Sequence, residues 1–480
     1  MKNKPRPKIV LWITTDHMRY DSIGAHGAPH MYTPAMDEFF RNGISFENCY
    51  VQSPVCMPSR SSFMTGLYPQ QTGVLINGHC LPQEFNPTAP RIFSGAGYTA
   101  VQMGKLHLQP HEDNDLDSRP RNDYGFDIFW GSEEPGCYND AYMKWLQLEF
   151  PGLQQLFRIE RSSSPRRGRG SLPPDEFVNK VLDAPWQASY SGWLGSIASN
   201  YLSNGFRRNA HQFIHLGFYA PHHPMNPTRE MMAPYKGRDL PDPRIEPGEA
   251  EDKPFPLQGQ MRTYSDWERK HYRDYRKHFY GMVTGVDFAL EQIVGQLKRS
   301  NLYDDTLIVL TSDHGDMCGD HGMLEKGYSF YYDETARVPL VMHWPNGFGT
   351  KGRKEEGMVE MIDILPTMAD LCGINVPEML PGVSCAEDLL SATPVRGRES
   401  TLTYAAEGRD NESAMIVTRD WKYIRWSGNR GEVLFRRDDD PAEVKNHAPG
   451  EEAVLAEHRE ILLERLLQAG RSYRAHNHVF

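Results

Sequence analysis

The stretch Lys8-Ile-Val-Leu-Trp-Ile-Thr-Thr15 is a short apolar run rich in β-branched residues, and Asp16 follows it directly. Such a run is typical of a strand that is buried on both faces of a parallel sheet. We therefore expect Asp16 to lie at the carboxyl end of the first strand. In open α/β sheets, ligands bind at that edge.

Helix and strand signals alternate along the rest of the main part of the chain. A helix with apolar residues stepping by three and four, from Val283 to Leu297, leads into a strand at 307–310 that ends in Thr311-Ser-Asp-His-Gly315. Further strands are predicted at 45–51, 98–103 and 213–218, and further helices at 33–42, at 58–65 and near residue 91. This alternation predicts an α/β fold with a doubly wound, mostly parallel sheet flanked by helices.

The C-terminal part has a different pattern. Short strands with turns between them are predicted at 401–405, 414–418, 422–426 and 433–436. A helix from about Glu451 to Gln468 follows them. We therefore predict an α/β domain at residues 1–385 and an α+β subdomain at 386–480, with a small antiparallel sheet and a terminal helix.

Charge and apolar runs limit the possible partners. The sequence has 52 Lys and Arg against 63 Asp and Glu, a net charge of −11, which argues against nucleic acid or anionic lipid as a partner of the whole surface. No apolar run approaches the ~20 residues that a membrane span needs. We expect neither nucleic acid nor a membrane as a partner, and a homo-oligomer is left open.

Cysteine usage and the N-terminus indicate the compartment. The 7 cysteines are odd in number and scattered, so at least one is unpaired, and a reduced compartment is the simplest interpretation. The apolar run after the basic N-terminus, Ile9 to Ile13, is shorter than the apolar core of a signal peptide. We expect a cytoplasmic protein without a visible targeting segment.

The segment from Arg158 to Pro174 is strongly basic. It carries five Arg against one Glu, together with Gly and a pair of Pro residues. This composition predicts an exposed loop. A lid over an anionic substrate is the alternative.

The segment Cys56-Met-Pro-Ser-Arg60, followed by Thr65-Gly66, is the most informative for chemistry. It places a thiol at the start of a helix, where unpaired N–H groups and the helix dipole favour a thiolate or a developing anion. Arg60 adds a bidentate donor one turn away. For an isolated motif of this kind, a buried structural cysteine is the alternative.

This segment resembles the signature Cys-x-Pro-Ser-Arg, followed by Thr-Gly, of the type I sulfatases of the alkaline-phosphatase-like superfamily. The resemblance implies that superfamily's large mixed, mostly parallel sheet and an oxidation of Cys56 to formylglycine by a formylglycine-generating enzyme. It also implies that the hydrated aldehyde is the nucleophile: one gem-diol oxygen attacks sulfur, the alcohol leaves, and the other oxygen expels sulfate as the aldehyde reforms. Arg60 belongs to the catalytic set that the resemblance implies.

Two Asp-His pairs at predicted strand ends, Asp16-His17 and Asp313-His314, have side chains that can hold a divalent cation. Asp16 and Asp313-His314 match the places where sulfatases bind calcium, so the resemblance implies Ca²⁺ held by these residues, by His17 and by the modified Cys56. Many members have a second Asp where His17 stands, which leaves the ligand role of His17 open. Mn²⁺ is the alternative ion.

Four further residues match family positions that bind sulfate and move protons, namely Lys105, His107, His222 and Lys326. The resemblance implies that Lys105 and Lys326 neutralise the sulfuryl oxygens. It implies that His107 acts as a base on the gem-diol and His222 as a general acid towards the leaving oxygen. His223 is the alternative to His222.

The predicted function is hydrolysis of an organic sulfate monoester, aryl or carbohydrate, to an alcohol and inorganic sulfate. The closest alternative is a phosphonate monoester hydrolase or phosphodiesterase, since similar relatives use the same formylglycine with Mn²⁺. A binding protein that keeps the fold and the metal but never modifies Cys56 is a third possibility. The resemblance is weakest at 110–205 and 230–275, where family members build their substrate pockets.

Overall fold

The first strand has the burial that its sequence predicts. The computed structural model describes residues 6–111, 122–136, 138–158, 179–205, 210–263, 267–406, 412–428 and 430–470. Strand β1 is Ile9–Asp16, and all 8 of its residues are buried. Its odd-numbered apolar residues pack in the core on one face of the sheet, and Val10 and Trp12 pack in the core on the other face. This two-sided burial explains the continuous apolar run.

The main sheet has 8 strands in the order β4-β3-β5-β1-β6-β7-β2-β8. Strands β2 to β8 are Ile44–Tyr50, Thr99–Gly104, Ile128–Gly131, Gln212–Pro221, Thr306–Ser312, Leu340–His343 and Arg353–Glu360. Strand β7 is antiparallel to both of its neighbours, whereas the other pairings within this described sheet are parallel. The prediction of a large mixed, mostly parallel sheet is confirmed.

Helices cover both faces of this sheet. The α-helices α1 to α15 of the described chain are Pro34–Asn42, Cys56–Thr65, Pro69–Thr72, Ala89–Gly95, Ala141–Glu149, Gln154–Phe157, Tyr190–Asn200, Arg229–Met232, Phe255–Met261, Arg269–Arg299, Asp333–Ala336, Pro345–Phe348, Ile364–Leu371, Ala386–Ser391 and Glu452–Gln468. Helices α1, α7 and α10 pack on one face, and α2, α4 and α13 pack on the other. The loops that connect strands and helices therefore lie at the edge of the sheet, between the two helix layers.

Helix α10 begins earlier than its apolar periodicity predicts, at Arg269. Its first half is strongly charged, but Tyr272, Tyr275 and Phe279 are spaced by three and four residues and are buried. Aromatic residues therefore continue the buried stripe of the helix towards the N-terminus. The helix was predicted from its aliphatic residues alone, so its predicted start was too late.

The predicted C-terminal sheet is present. Strands β9 to β12, at Thr401–Ala406, Glu412–Val417, Trp421–Trp426 and Glu432–Arg436, form an antiparallel sheet in the order β12-β11-β10-β9. Helix α15 packs against β9 and β10. The boundary between residues 385 and 386 stays a prediction.

The small sheet is fastened to the main domain by a buried ionic cluster. The Lys422 ammonium on β11 is fully buried and pairs with the carboxylates of Asp333 and Glu443. The Tyr331 hydroxyl donates a hydrogen bond of 2.8 Å to the carbonyl of Ser413 on β10. The segment in front of α11 is thereby held on the C-terminal sheet.

Three sequence predictions concern features outside the sheet. The arginine-rich segment predicted as a loop lies, from residue 159 onward, outside the described residues. Six cysteines of the described chain are free thiols, at positions 49, 56, 80, 318, 372 and 385. In the described part of the chain, no helix combines the length and the apolar character needed to cross a membrane.

Candidate active site

The predicted site residues converge on the carboxyl edge of the main sheet. Asp16 ends β1, Lys105 follows β3, His222 follows β5 and Asp313 follows β6. These strands are adjacent in the order β3-β5-β1-β6. Neighbouring parallel strands present their ends side by side, so residues far apart in sequence meet at one edge.

Cys56 occupies the centre of this group. It is the first residue of α2, every residue of which is buried. Its Sγ lies 3.1 Å from Nε2 of His314 and 3.7 Å from Oδ1 of Asp16. The Ser59 hydroxyl donates a hydrogen bond of 2.6 Å to the Asp313 carbonyl, which fastens the first turn of α2 to the end of β6. The side chain at position 56 therefore lies between the two Asp-His pairs.

The expectation that the start of the helix favours a Cys56 thiolate is wrong. Burial, reinforced by the charge of Asp16, raises the pKa of this thiol to about 12. A helix dipole contributes at most about 2 kcal/mol, which is less than the cost of a buried anion beside a carboxylate. The unmodified thiol is therefore protonated at neutral pH and is a poor nucleophile.

Two buried cations hold the two carboxylates. The Nε of Arg60 lies 2.7 Å from Oδ2 of Asp313, and its terminal Nη2 lies 3.3 Å from Oδ2 of Asp16. The Nζ of Lys105 lies 2.6 Å from the same Asp16 oxygen. Burial alone would raise the pKa of Asp16, but Lys105 and Arg60 hold it well below its usual value. The carboxylate is thus ionised and fixed.

The site has the donors that a divalent cation needs. Donor atoms of Asp16, Cys56, Asp313 and His314 all lie within 4.8 Å of one another, and so do those of Asp16, Cys56, His17 and His222. Both sets are fully buried and combine carboxylate with imidazole donors. This chemistry fits a bound metal ion.

His222 rather than His223 faces the predicted lysine. Its Nε2 lies 3.4 Å from Nζ of Lys326, and its Nδ1 donates to the carbonyl of His223. The Nε2 of His223 instead lies 3.4 Å from Oε1 of Glu325. Burial, together with Lys326 and His17, holds the pKa of His222 well below its ordinary value. The imidazole is therefore neutral in the free enzyme, and the Lys326 ammonium is the proton donor beside it.

His107 lies next to Lys105 and is also neutral. Its backbone N–H donates a hydrogen bond of 3.1 Å to Glu133, and its ring stacks on that of His111 with 4.5 Å between centroids. Burial, His111 and Lys105 hold the pKa of His107 well below its ordinary value. An unprotonated imidazole is the state that a base requires.

Further residues contact this group that were not predicted from the sequence. Glu134 has its Oε1 3.7 Å from Nζ of Lys105 and 3.4 Å from Nε2 of His111, and the Tyr219 ring lies 5.4 Å from the Lys105 ammonium. Asp316 accepts a hydrogen bond of 2.7 Å from Nδ1 of His17. Asp316 directly follows the segment Thr311-Ser-Asp-His-Gly315, so a carboxylate two residues after His314 was a usable signal. Glu134 has no comparable motif.

Comparison with known proteins assigns the family. The Sulfatase family profile matches residues 8–374, and the profile described as N-sulphoglucosamine sulphohydrolase, C-terminal, matches residues 319–469. The first covers most of the chain and all the residues of the candidate site described above. The chain therefore belongs to the sulfatase family, within the alkaline-phosphatase-like superfamily, and is a sulfuric ester hydrolase.

Individual relatives cover nearly the whole chain. An arylsulfatase of Clostridium perfringens is 26% identical, with 93% of this chain and 91% of that protein aligned. The multifunctional alkaline phosphatase superfamily protein PehA of Trinickia caryophylli is 28% identical over 92% of this chain and 91% of its own. The crystal structure of a phosphonate monoester hydrolase of Agrobacterium radiobacter superposes with a TM-score of 0.80 and 25% identity, over 97% of this chain and 96% of that one.

Proposed function

We propose that this sulfatase hydrolyses an aryl or carbohydrate sulfate monoester to an alcohol and inorganic sulfate, with Cys56 converted to formylglycine as its nucleophile. One observation carries the proposal: the Cys56 side chain is buried between two Asp-His pairs and is surrounded by fixed cations. As a thiol with a pKa of about 12 it would be inert, whereas a hydrated aldehyde at the same place offers two hydroxyl groups.

The cations fit an anionic ester. Arg60 and Lys105 are fully buried, and Lys326 lies 3.4 Å from His222 on the other side of the group. Three positive side chains beside a sulfuryl group would stabilise the charge that develops on its oxygens. Because Arg60 and Lys105 are held by carboxylates, they need little rearrangement when the substrate binds.

A divalent cation held by Asp16, Asp313, His314 and the side chain at position 56 would polarise the nucleophile and offset the charge of the ester. The resemblance to sulfatases implies Ca²⁺, with Mn²⁺ as the alternative. The chain contributes the carboxylates of Asp16 and Asp313, of which Asp16 is kept ionised by Lys105 and Arg60, and it excludes water from the donors by burial. These residues fit the role that the family implies.

The reaction also requires two proton transfers, and side chains of the site can perform both. We propose that neutral His107 accepts the proton of the nucleophile. We propose that His222 delivers a proton to the leaving alcohol oxygen. Since His222 is neutral in the free enzyme, that proton comes through the neighbouring Lys326, and the negative charge of a bound ester favours the protonated imidazole.

The substrate class is supported by the relatives. The arylsulfatase supports an aryl ester, and the C-terminal profile named for N-sulphoglucosamine sulphohydrolase supports a sulfated sugar. A phosphonate monoester hydrolase or phosphodiesterase is the second candidate, favoured by the TM-score of 0.80 to the Agrobacterium enzyme. Lys105 and Lys326 would serve a phosphoryl group in the same way.

A combined experiment tests the proposal. The peptide that contains Cys56 is analysed by mass spectrometry, and kcat/KM is measured for aryl sulfate, sugar sulfate, phosphodiester and phosphonate monoester substrates. Formylglycine together with the highest kcat/KM on a sulfate is the expected result. A phosphodiester rate far above every sulfate rate would select the second candidate, and fully active protein with an intact thiol would refute the formylglycine mechanism.

We also propose maturation by a formylglycine-generating enzyme and a cytoplasmic location. The odd cysteine count supports a reduced compartment. Cell fractionation tests the location, and expression with and without a formylglycine-generating enzyme tests the maturation step. Formylglycine formed equally well in its absence would contradict that partner.

A further inference from the structure

The Lys105 ammonium lies between two carboxylates. Its Nζ is 2.6 Å from Oδ2 of Asp16 and 3.7 Å from Oε1 of Glu134. The first distance is that of a hydrogen-bonded ion pair, whereas the second is longer than a hydrogen bond. Asp16 therefore fixes the position of the ammonium, and Glu134 acts on it through its charge.

Glu134 lies on the solvent side of this ion pair. Its side chain is 21% exposed, whereas those of Lys105 and Asp16 are fully buried. Glu134 belongs to the loop after β4, and the preceding Glu133 fastens this loop to the site by accepting a hydrogen bond of 3.1 Å from the backbone N–H of His107. An ester that reaches Lys105 from solvent therefore comes close to the Glu134 carboxylate.

The Glu134 carboxylate is ionised. Burial would raise its pKa, but Lys105, His111 and His222 hold the pKa well below its ordinary value. The Nε2 of His111 lies 3.4 Å from Oε1 of Glu134. A neutral imidazole that donates to this oxygen stabilises the carboxylate without cancelling its charge. A negative charge is therefore held beside the lysine that we propose to bind the sulfuryl oxygens.

Glu134 differs from the other carboxylates that pair with the cations of the site. Arg60 and Lys105 pair with Asp16, and Arg60 also pairs with Asp313. Those two carboxylates have a second role as candidate metal donors, whereas Glu134 belongs to neither donor group of the described residues. Its remaining effect is to reduce the positive charge that an ester meets at Lys105.

We propose that Glu134 is a specificity-determining residue, which disfavours esters that carry a second negative charge. A sulfate monoester and a phosphodiester each carry one negative charge, whereas a phosphate monoester carries close to two above pH ~6. The carboxylate repels each unit of charge, so its penalty is largest for the phosphate monoester. The inference rests on the proposed function for the binding of an anionic ester at Lys105, and it applies to both candidate reactions.

Three esters of para-nitrophenol test the charge dependence, namely the sulfate, the methyl phosphodiester and the phosphate monoester. Their kcat/KM values are measured on the matured full chain at about pH 8, where the phosphate monoester is doubly charged. We expect Glu134→Gln to raise the kcat/KM of the phosphate monoester, relative to that of the phosphodiester, at least ~10-fold. The ratio of phosphodiester to sulfate should change less than ~3-fold, because both esters carry one charge.

The two phosphorus esters separate charge from chemistry. Both react at phosphorus and release the same phenol, so their ratio reports the additional charge. A carboxylate that only supports Lys105 would affect every ester alike. An equal change of all three kcat/KM values in Glu134→Gln, or an unchanged ratio of the two phosphorus esters, would therefore overturn the proposal.

Two control variants accompany Glu134→Gln. Glu134→Asp keeps the charge and should keep the wild-type ratio of the two phosphorus esters within ~3-fold. Glu84→Gln makes the same exchange in an exposed pair, in which the carboxylate lies 3.4 Å from Arg91, and should leave all three kcat/KM values unaltered. A gain for the phosphate monoester in either control as large as in Glu134→Gln would contradict the role of the Glu134 charge.

Two further measurements keep the outcome clear. Circular dichroism shows whether each variant is folded; if Glu134→Gln is not, Glu134→Ala takes its place with the same expected ratio. The inhibition constant of the phosphate monoester, read without its turnover, should fall at least ~10-fold in the neutral variant. A wild type that prefers the phosphodiester to the sulfate refutes the proposed sulfatase function alone, because the ratio of the phosphorus esters still reports on Glu134. Sulfate hydrolysis with an unchanged ratio refutes this inference alone.

Discussion

Lys105 and Asp16 form an ion pair of 2.6 Å in which both side chains are fully buried. We expect Lys105→Met to lower kcat/KM by ~10²–10³, because a fixed cation at the sulfuryl group is lost. We also expect a loss of about 3–5 kcal/mol in unfolding free energy, since Arg60 is then the one Lys or Arg side chain of the described residues that pairs with the buried Asp16 carboxylate. Steady-state kinetics and urea unfolding measure the two effects.

The control for that substitution is an exposed pair of the same type. Lys298 lies 3.1 Å from Glu38, with about half of each side chain exposed. Lys298→Met should change the unfolding free energy by less than ~1 kcal/mol and leave kcat/KM unaltered. Similar effects of the two substitutions would contradict a special role of Lys105.

Cys56→Ala should abolish multiple turnover while keeping the fold. The substitution removes the nucleophile, but the Ser59–Asp313 hydrogen bond that fastens α2 remains. Turnover of an aryl sulfate and the Tm of unfolding measure the two properties. Cys80→Ala, at an exposed cysteine, is the matched control and should retain full turnover. Near wild-type turnover of Cys56→Ala would disprove the assignment.

His222→Ala should affect esters with poor leaving groups most, because protonation of the departing oxygen matters most for them. The measurement is kcat/KM across aryl sulfates whose phenols differ in pKa. The loss should reach ~10²–10⁴ at the high-pKa end and shrink towards the low end. His223→Ala, whose ring faces Glu325 instead, should give a flat and small loss. A uniform loss in His222→Ala would exclude its general-acid role.

The protonation of a buried histidine outside the site predicts that the free energy of unfolding decreases at alkaline pH. His321 lies 2.6 Å from Glu249 and 3.7 Å from Glu334. Burial opposes its charge, but the two carboxylates outweigh burial and raise its pKa from 6.5 to about 9. A raised pKa stabilises the folded state fully below pH ~6.5, and this stabilisation, on the order of 3 kcal/mol, is lost as pH rises through ~9.

Urea unfolding between pH 6 and pH 10 (about the range of the shift) tests this linkage. The wild-type free energy of unfolding should fall across the window, and that of His321→Gln should be lower at pH ~6 but much flatter. His211→Asn, at an exposed histidine, is the control and should follow the wild-type curve. Parallel curves for wild type and His321→Gln would refute the linkage.

The sequence predicts those parts of the structure whose own residues show a pattern typical of a strand or a helix. The apolar run before Asp16 and the helix that ends before β6 each identify a strand, and parallel strands then bring Asp16 and Asp313 to one edge. The residues proposed to bind the metal ion and the cationic residues follow from motifs within these segments. The protonation states of these side chains cannot be predicted from motifs. The pKa of Cys56, for example, depends on burial and on Asp16, which lies far away in the sequence.

Contacts made by loops escaped the sequence analysis for a physical reason. Glu134 contacts Lys105 because the loop after β4 passes the carboxyl edge of the sheet. The hydrophobic periodicity of the sequence does not indicate the path of such a loop. Asp316 directly follows the segment Thr311-Ser-Asp-His-Gly315, but only the structure shows that its carboxylate accepts a hydrogen bond of 2.7 Å from Nδ1 of His17. Sequence patterns therefore identify the donors, whereas geometry decides which atom of each donor is available.

The ionic cluster around Lys422 makes the candidate site depend on the C-terminal sheet. The segment that it holds, through Asp333 and Tyr331, directly follows Lys326. A chain that ends before β10 would contain Lys326 but would lack Ser413 and Lys422, which hold this segment. Truncation of the C-terminal sheet would therefore loosen the support of a candidate site residue that lies far from it in the sequence.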